Sequence, residues 1–184
     1  TGPATKPLVE VQMLDDDGNV LPQGERGEVG IRTIANFNGY WNNEQSTRDA
    51  FTADGFFRTG DIGYLDEDGY LFIVDRKKDI IIRGGENISC PEVEAAAYEH
   101  DSIVELSVFG IADDRYGEVP GIVYQTKDGV ELTEDELKAF LAPRLAPFKI
   151  PAHFWQVSEP LPRLGTQKID RVALRREYNA KVSA

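Results

Sequence analysis

Four short stretches of this chain hold residue types that could handle an anionic small molecule. RLGTQKIDR (163–171) sets Lys168 behind a Gly-Thr-Gln run and opens a segment with six basic side chains, Arg163, Lys168, Arg171, Arg175, Arg176 and Lys181, against Asp170 and Glu177. FFRTGD (56–61) ends on Asp61, a carboxylate that only accepts hydrogen bonds when ionised. DRKKD (75–79) is an unbroken run of charge, in which Arg76 offers a planar cation with several donors. GGEN (84–87) places Gly84 and Gly85 before Glu86, and two residues without a Cβ let a ligand lie against the backbone. Each stretch also has a plain structural reading: a surface lysine, a Thr-Gly-Asp turn, a solvated linker and a Gly-Gly turn. His100 and His153 have neither metal-like nor triad-like spacing, and no metal site is expected in the chain. Cys90, the single cysteine, has no base beside it in sequence to make it reactive and cannot form an internal disulfide.

The elements that must position these residues fall into two groups. Before residue 76, LVEVQML (8–14), EVGIRT (28–33) and YLDEDGYLFIV (64–74) read as strands joined by acidic Gly/Asp turns, and only NNEQSTRDAF (42–51) has helical potential. This predicts a small antiparallel barrel-like unit or sheet. After residue 79 the pattern changes to a short strand at III (80–82), a GGEN loop and a helix from Pro91. Strands follow at 103–111 and 121–126. A helix opened by the Thr133/Glu136 capping box runs through Leu145, then come a strand at 153–157 and a last helix at 169–178. The order β-α-β-β-α-β predicts a compact domain of the α+β class. Five consecutive charges at 75–79 resist burial and mark the boundary.

At 184 residues the chain can hold one ordinary domain or two small ones. A hydrophobic fraction of 41% with 28% charged residues is that of a globular chain rather than a disordered one. No apolar run approaches the ~20 residues that span a bilayer, and TGPATKPL has no signal-peptide character, so a cytoplasmic location is expected. The net charge of −12 argues against nucleic acid as a general partner. That acidity is uneven: residues 1–75 carry 14 acidic and 5 basic side chains, the remainder 18 and 15, so the later part can still meet an anion.

FFRTGD (56–61), DGYLFIVDRKKDIIIRGGENISCPEVE (68–94) and PRLGTQKIDR (162–171), in this order, resemble the late motifs of the adenylate-forming, AMP-binding superfamily. Acyl- and aryl-CoA synthetases, the adenylation domains of peptide synthetases and firefly luciferase are among its members. The resemblance spans essentially the whole chain from GERGE (24–28) onward, and three separated motifs in register make it specific. The superfamily's phosphate loop ending in Pro-Lys-Gly and its Tyr-Gly-x-Thr-Glu segment do not occur. The resemblance therefore implies a C-terminal third: residues 1–75 as the last β-rich subdomain of a large N-terminal region, 76–79 as a hinge, and 80–184 as the mobile C-terminal domain.

The resemblance also implies roles. Lys168 matches the lysine that offsets repulsion when a carboxylate meets the α-phosphate of ATP. Asp61 matches the acceptor for the ribose hydroxyls, and Arg76 a contact to the same nucleotide. Lys78 matches the hinge position, and Gly84, Gly85 and Glu86 the tunnel for the pantetheine arm of coenzyme A. Where the superfamily usually has Gly before the lysine, Gln167 stands here. The implied function is that of an AMP-forming acyl-CoA synthetase, with IIIRGGENISCPEVEAA most like fatty acyl-CoA ligases. Its small-molecule partners would be a carboxylic acid, ATP and CoA, with Mg2+ held mostly by residues upstream, and the isolated chain is expected to be inactive. The alternative is a natural short protein that keeps this fold as a non-catalytic binding or regulatory module.

Overall fold

A computed structural model describes residues 8–182. The chain divides into two compact units, one ending at Lys78 and one beginning at Asp79.

In the first unit, β1 (Val9–Leu14), β2 (Gly27–Thr33), β3 (Phe57–Leu65) and β4 (Leu71–Arg76) form an antiparallel sheet in sequence order. Of the two forms the sequence allows, the sheet is the open one: β1 and β4 are its edges and do not pair. The turns use the expected chemistry. Asp66 accepts from the backbone N–H groups of Asp68 and Tyr70, and Gly69 takes the positive φ of +80° that the Asp-Gly turn requires. The helical potential around 42–51 becomes the single short helix α1 (Glu44–Asp49), capped by the Asn43 side chain. Among the described residues of this unit, Met13, Leu14, Val29 and Phe56 are its buried apolar side chains, beside a cluster of Phe37, Tyr40, Phe51 and Phe57.

FFRTGD departs from its turn-like sequence. The strand continues through it, because Glu28 pairs with Ile62 while Gly30 pairs with Arg58, so Thr59, Gly60 and Asp61 together face Val29 as a bulge. Gly60 supplies the left-handed φ of +74°.

The second unit is built from β5 (Ile80–Arg83), β6 (Glu86–Ser89), α2 (Cys90–Tyr98), β7 (Ile103–Asp113), β8 (Gly117–Thr126), α3 (Glu134–Leu141), β9 (His153–Val157) and α4 (Arg171–Val182). The sheet order is β6-β5-β8-β7, with β9 added parallel to β8. This is a mixed α+β fold with mainly antiparallel sheets, the class that the sequence predicts. Alternation along β7 splits the interior in two. Leu106 and Val108 join Ile81, Ile88, Val93, Leu137 and Leu141 on the α2/α3 side, whereas Phe109 and Ile111 join Val123, Leu174 and Tyr178 on the α4 side. A strand buried on both faces explains why IVELSVFGI reads as a nearly continuous apolar run.

Three local features differ from the sequence reading. GGEN is not a loop: Gly84 and Gly85 are a two-residue turn, and Glu86–Ser89 is the returning strand β6. DDRYGEVP is mostly strand, because β7 runs to Asp113 and β8 begins at Gly117 around a three-residue tip. Helix α3 stops at Leu141 rather than Leu145, since Pro143 lacks the N–H that a further turn would need. The Thr133/Glu136 capping box forms as predicted, with both reciprocal bonds present.

Candidate functional site

In the first unit the bulge brings two predicted residues together. Asp61 and Arg76 are cross-strand partners on β3 and β4, and Arg76 Nε donates to Asp61 Oδ1 at 2.8 Å. Their side chains keep 27% and 52% of their surface open, so the pair remains accessible to a polar ligand. Among the described residues, the second Asp61 oxygen accepts no hydrogen bond and can receive one from a hydroxyl.

A buried carboxylate that the sequence places at the start of a strand, with no role assigned, shapes this bulge. Glu28, 5% exposed, accepts from the Gly60 backbone N–H at 3.1 Å, from Arg58 at 3.1 Å and from Lys77 Nζ at 3.2 Å. A buried charge is tolerable only when paired and hydrogen-bonded, and these three donors meet that need. Lys77 also reaches Asp16 at 2.8 Å; that hydrogen bond, joined by the one to Glu28, holds its ammonium above the usual lysine range, and the same contact lowers Asp16.

The charged run divides at Lys78. Lys77 is tied to Glu28 and Asp16 within the first unit. Asp79 is tied within the second, where Arg171 Nη1 lies 2.8 Å from Asp79 and Arg171 Nη2 lies 2.8 Å from Glu94. Glu94 also accepts from the Val108 N–H, yet burial still pushes its carboxyl above the ordinary range. The Lys78 side chain is exposed and makes no hydrogen bond or ion pair among the described residues, while its backbone is the middle of a short 3-10 turn, Lys77–Asp79. The side chains on both sides are therefore tethered while that of Lys78 is not.

Lys168 sits on a compact exposed loop. The loop is closed by Leu164 N–H to Lys168 O at 2.8 Å, Gln167 N–H to Leu164 O at 2.9 Å and Asp170 N–H to Pro162 O at 2.7 Å. Arg163 and Ile169 form an isolated antiparallel bridge across its base. Arg163 Nη1 donates to the Gln167 carbonyl at 2.7 Å, and its Nη2 pairs with Glu105 on β7. Gln167 has φ of +66°, the left-handed conformation that glycine adopts without strain. The residue differs from the superfamily's glycine while its backbone takes the conformation a glycine favours. No described residue hydrogen-bonds or ion-pairs with the Lys168 ammonium.

Gly84 and Gly85 have φ of +58° and +94°, as a type I′ hairpin turn requires at both central positions. Gly84 N–H donates to Tyr116 O at 2.7 Å, whereas a Cβ on Gly85 would meet nothing within 4 Å. Glu86 is exposed beside them. The Gly-Gly pair marks the far end of the β5/β6 hairpin. Arg171, three residues after Lys168, grips Asp79 at the hairpin's base. Asp79 and Gly84 are separated by five strand steps, roughly 16 Å. The structure thus brings Asp61 to Arg76, whereas among the described residues no hydrogen bond or ion pair joins the Lys168 loop to the Gly84-Gly85 turn.

Glu28, Lys77, Glu105 and Arg163 went unassigned in the sequence. A signal for Glu105 was present: a lone carboxylate inside IVELSVFGI must find donors or carry a large desolvation cost. For Glu28 the clue was weaker, because GERGE reads equally well as an exposed turn.

Comparison with known proteins adds to this geometry. Residues 92–168 match the family model of the AMP-binding enzyme C-terminal domain. A 2-succinylbenzoate--CoA ligase of Bacillus cereus is 39% identical over 175 residues, which is 95% of this chain and 36% of that protein. The ATP-bound MatB crystal structure from Rhodopseudomonas palustris aligns with a TM-score of 0.83 and 34% identity over 97% of this chain and 35% of its own. The o-succinylbenzoate CoA synthetase (MenE) of Bacillus subtilis, in complex with its acyl-adenylate intermediate OSB-AMP, aligns with a TM-score of 0.77 and 35% identity over 91% of this chain and 34% of its own. The chain thus spans about a third of the length of the relatives it matches.

Proposed function

We propose, from the premise that this chain belongs to the AMP-binding, adenylate-forming superfamily and carries its C-terminal domain, that it acts as part of a longer AMP-forming acid–thiol ligase. The reaction is carboxylate plus ATP giving acyl-adenylate and pyrophosphate, followed by attack of the CoA thiol to give thioester and AMP. The observation that carries this reading is the Lys168 loop: a fixed, exposed backbone that presents an ammonium with no partner among the described residues.

In the first step a carboxylate oxygen attacks the α-phosphate, and both partners are negative. An ammonium between them offsets the repulsion most where the charges meet, and preorganised charge of this kind is worth roughly 10²–10³ in rate. A lysine suits the task because one point charge must serve oxygens of both groups. Asp61 would accept from the ribose hydroxyls through its open oxygen, with Arg76 holding the other oxygen and turned toward the nucleotide. Magnesium would enter with ATP, and we assign it no ligand in this chain.

The second step would use Gly84, Gly85 and Glu86. The open side of Gly85 leaves room for a pantetheine arm to lie against the backbone. This turn and the Lys168 loop share no hydrogen bond or ion pair among the described residues, so each would serve its own step, the unit turning about Lys78 between them. The tethering of Lys77 and Asp79 to their own units supports a pivot confined to Lys78. Such gating lets one site run two reactions in sequence.

The acid itself is named in two ways. The relatives' names point to 2-succinylbenzoate, whereas IIIRGGENISCPEVEAA resembles fatty acyl ligases. The test is to supply the full-length enzyme with ATP, CoA and each acid in turn. Pyrophosphate and AMP release with one of them is expected, and release with no carboxylic acid would overturn the ligase reading. The 184-residue chain alone should release neither.

A further inference from the structure

The Lys168 loop is fastened to the core through one arginine. Glu105 lies on β7, 8% exposed, within a mostly apolar stretch of the strand. One of its oxygens accepts from the Leu161 N–H at 2.9 Å and the other pairs with Arg163 Nη2. The same guanidinium then donates through Nη1 to the carbonyl of Gln167 at 2.7 Å, one peptide before Lys168. A continuous polar line thus runs from a buried strand to the peptide that carries the lysine. It spans 58 residues of sequence between Glu105 and Arg163 and ends at the loop's one left-handed non-glycine residue.

The geometry points to Arg163 as a positioning residue for adenylation, with Glu105 as the buried anchor that orients it; this rests on the assignment of Lys168 to the first step. The physical need is specific. A left-handed Gln167 is disfavoured for an L-residue, because its Cβ crowds the following carbonyl, so an unclamped loop would favour other backbone shapes. Each would swing the Lys168 stem to a new origin. A planar fork can hold the Gln167 carbonyl and the Glu105 carboxylate at once, which a single ammonium cannot do with fixed geometry. Glu105 is acceptor-only, so it fixes which face of the fork remains for the loop. No contact between Arg163 and substrate is required.

The test uses the full-length enzyme and measures both half-reactions. Arg163→Met should lower the kcat of acyl-adenylate formation by roughly 10–100-fold, the range for a misplaced catalytic group. KM for ATP should stay nearly constant, and thioester formation from supplied acyl-adenylate should be unchanged, which also reports that the variant is folded. Arg163→Lys should recover only part of the loss. Combined with Lys168→Ala, Arg163→Met should add no further loss, because the two act as one unit. Additive losses, or an adenylation rate in Arg163→Met equal to that of the parent enzyme, would overturn the positioning role. If Lys168→Ala alone leaves adenylation intact, it is the assignment of Lys168 that fails. Glu105→Gln gives a second variant: it keeps an acceptor for Leu161 but weakens the hold on Arg163, and its loss should fall between those of the parent enzyme and Arg163→Met.

Discussion

At the scale of single residues, the loop before Lys168 shows how a backbone can be kept while the side chain changes. Gln167 holds φ of +66° at a position where the superfamily resemblance expects glycine. Gln167→Gly should therefore stabilise the fold by about 0.5–1 kcal/mol, the left-handed strain removed less the added freedom of the unfolded glycine. Chemical denaturation with an unchanged m-value is the measurement. The reverse holds at the hairpin tip, where Gly85 takes φ of +94° with open space around it. Gly85→Ala should cost about 1–2 kcal/mol from backbone strain alone, because the new methyl meets no neighbour. Lys168 stands out in the sequence through its register with Pro162 and Arg171. The clamp on its loop does not, because Glu105 and Arg163 are brought together only by folding.

At the scale of elements, ion pairs that join strand to helix decide how the site residues are held. Arg171 at the start of α4 links Asp79, just before β5, to Glu94 on α2. Arg171→Met would leave two carboxylates without their cation and should cost about 2–4 kcal/mol, somewhat below a fully buried pair because the guanidinium keeps some solvent. The pH dependence has a definite sign. Burial raises the Glu94 carboxyl above its unfolded value, so the native state holds that proton more tightly than the unfolded chain. Stability from this group is then fully present below the unfolded pKa and is lost as pH rises through the folded one. Without Arg171 the folded value rises further. The penalty of Arg171→Met should accordingly be largest near neutral pH and shrink on acidification, as melting curves of the two proteins across that range would show. Most elements could be read from the sequence where turn chemistry is local, as at Asp66–Gly69 and the Thr133 capping box. The β3 bulge could not, because Glu28 completes it from a strand some thirty residues earlier, and Pro143 was overlooked inside an otherwise helical pattern.

At the scale of the whole molecule, the two units differ in what they can bury. Among the described residues, the second unit has two packed cores either side of its sheet, whereas the first buries four apolar side chains and leaves Phe72, Ile73 and Val74 of β4 exposed. Residues 79–184 expressed alone should unfold cooperatively, and residues 1–78 alone should not, since so small a piece with so thin a core is marginal. Circular dichroism melts of the two pieces check this. The α+β class of the chain was readable from element order. The tethers on either side of Lys78 were not, because each depends on a partner distant in sequence. The proposed division of labour gives the second unit two separate steps, with Lys168 confined to the first. Its most direct test is Lys168→Ala in the full-length enzyme, with acyl-adenylate formation and thioester formation from supplied acyl-adenylate measured side by side. The predicted result is a roughly 10²–10³-fold loss of the first with the second retained. Equal loss of both steps, or loss of neither, would contradict it.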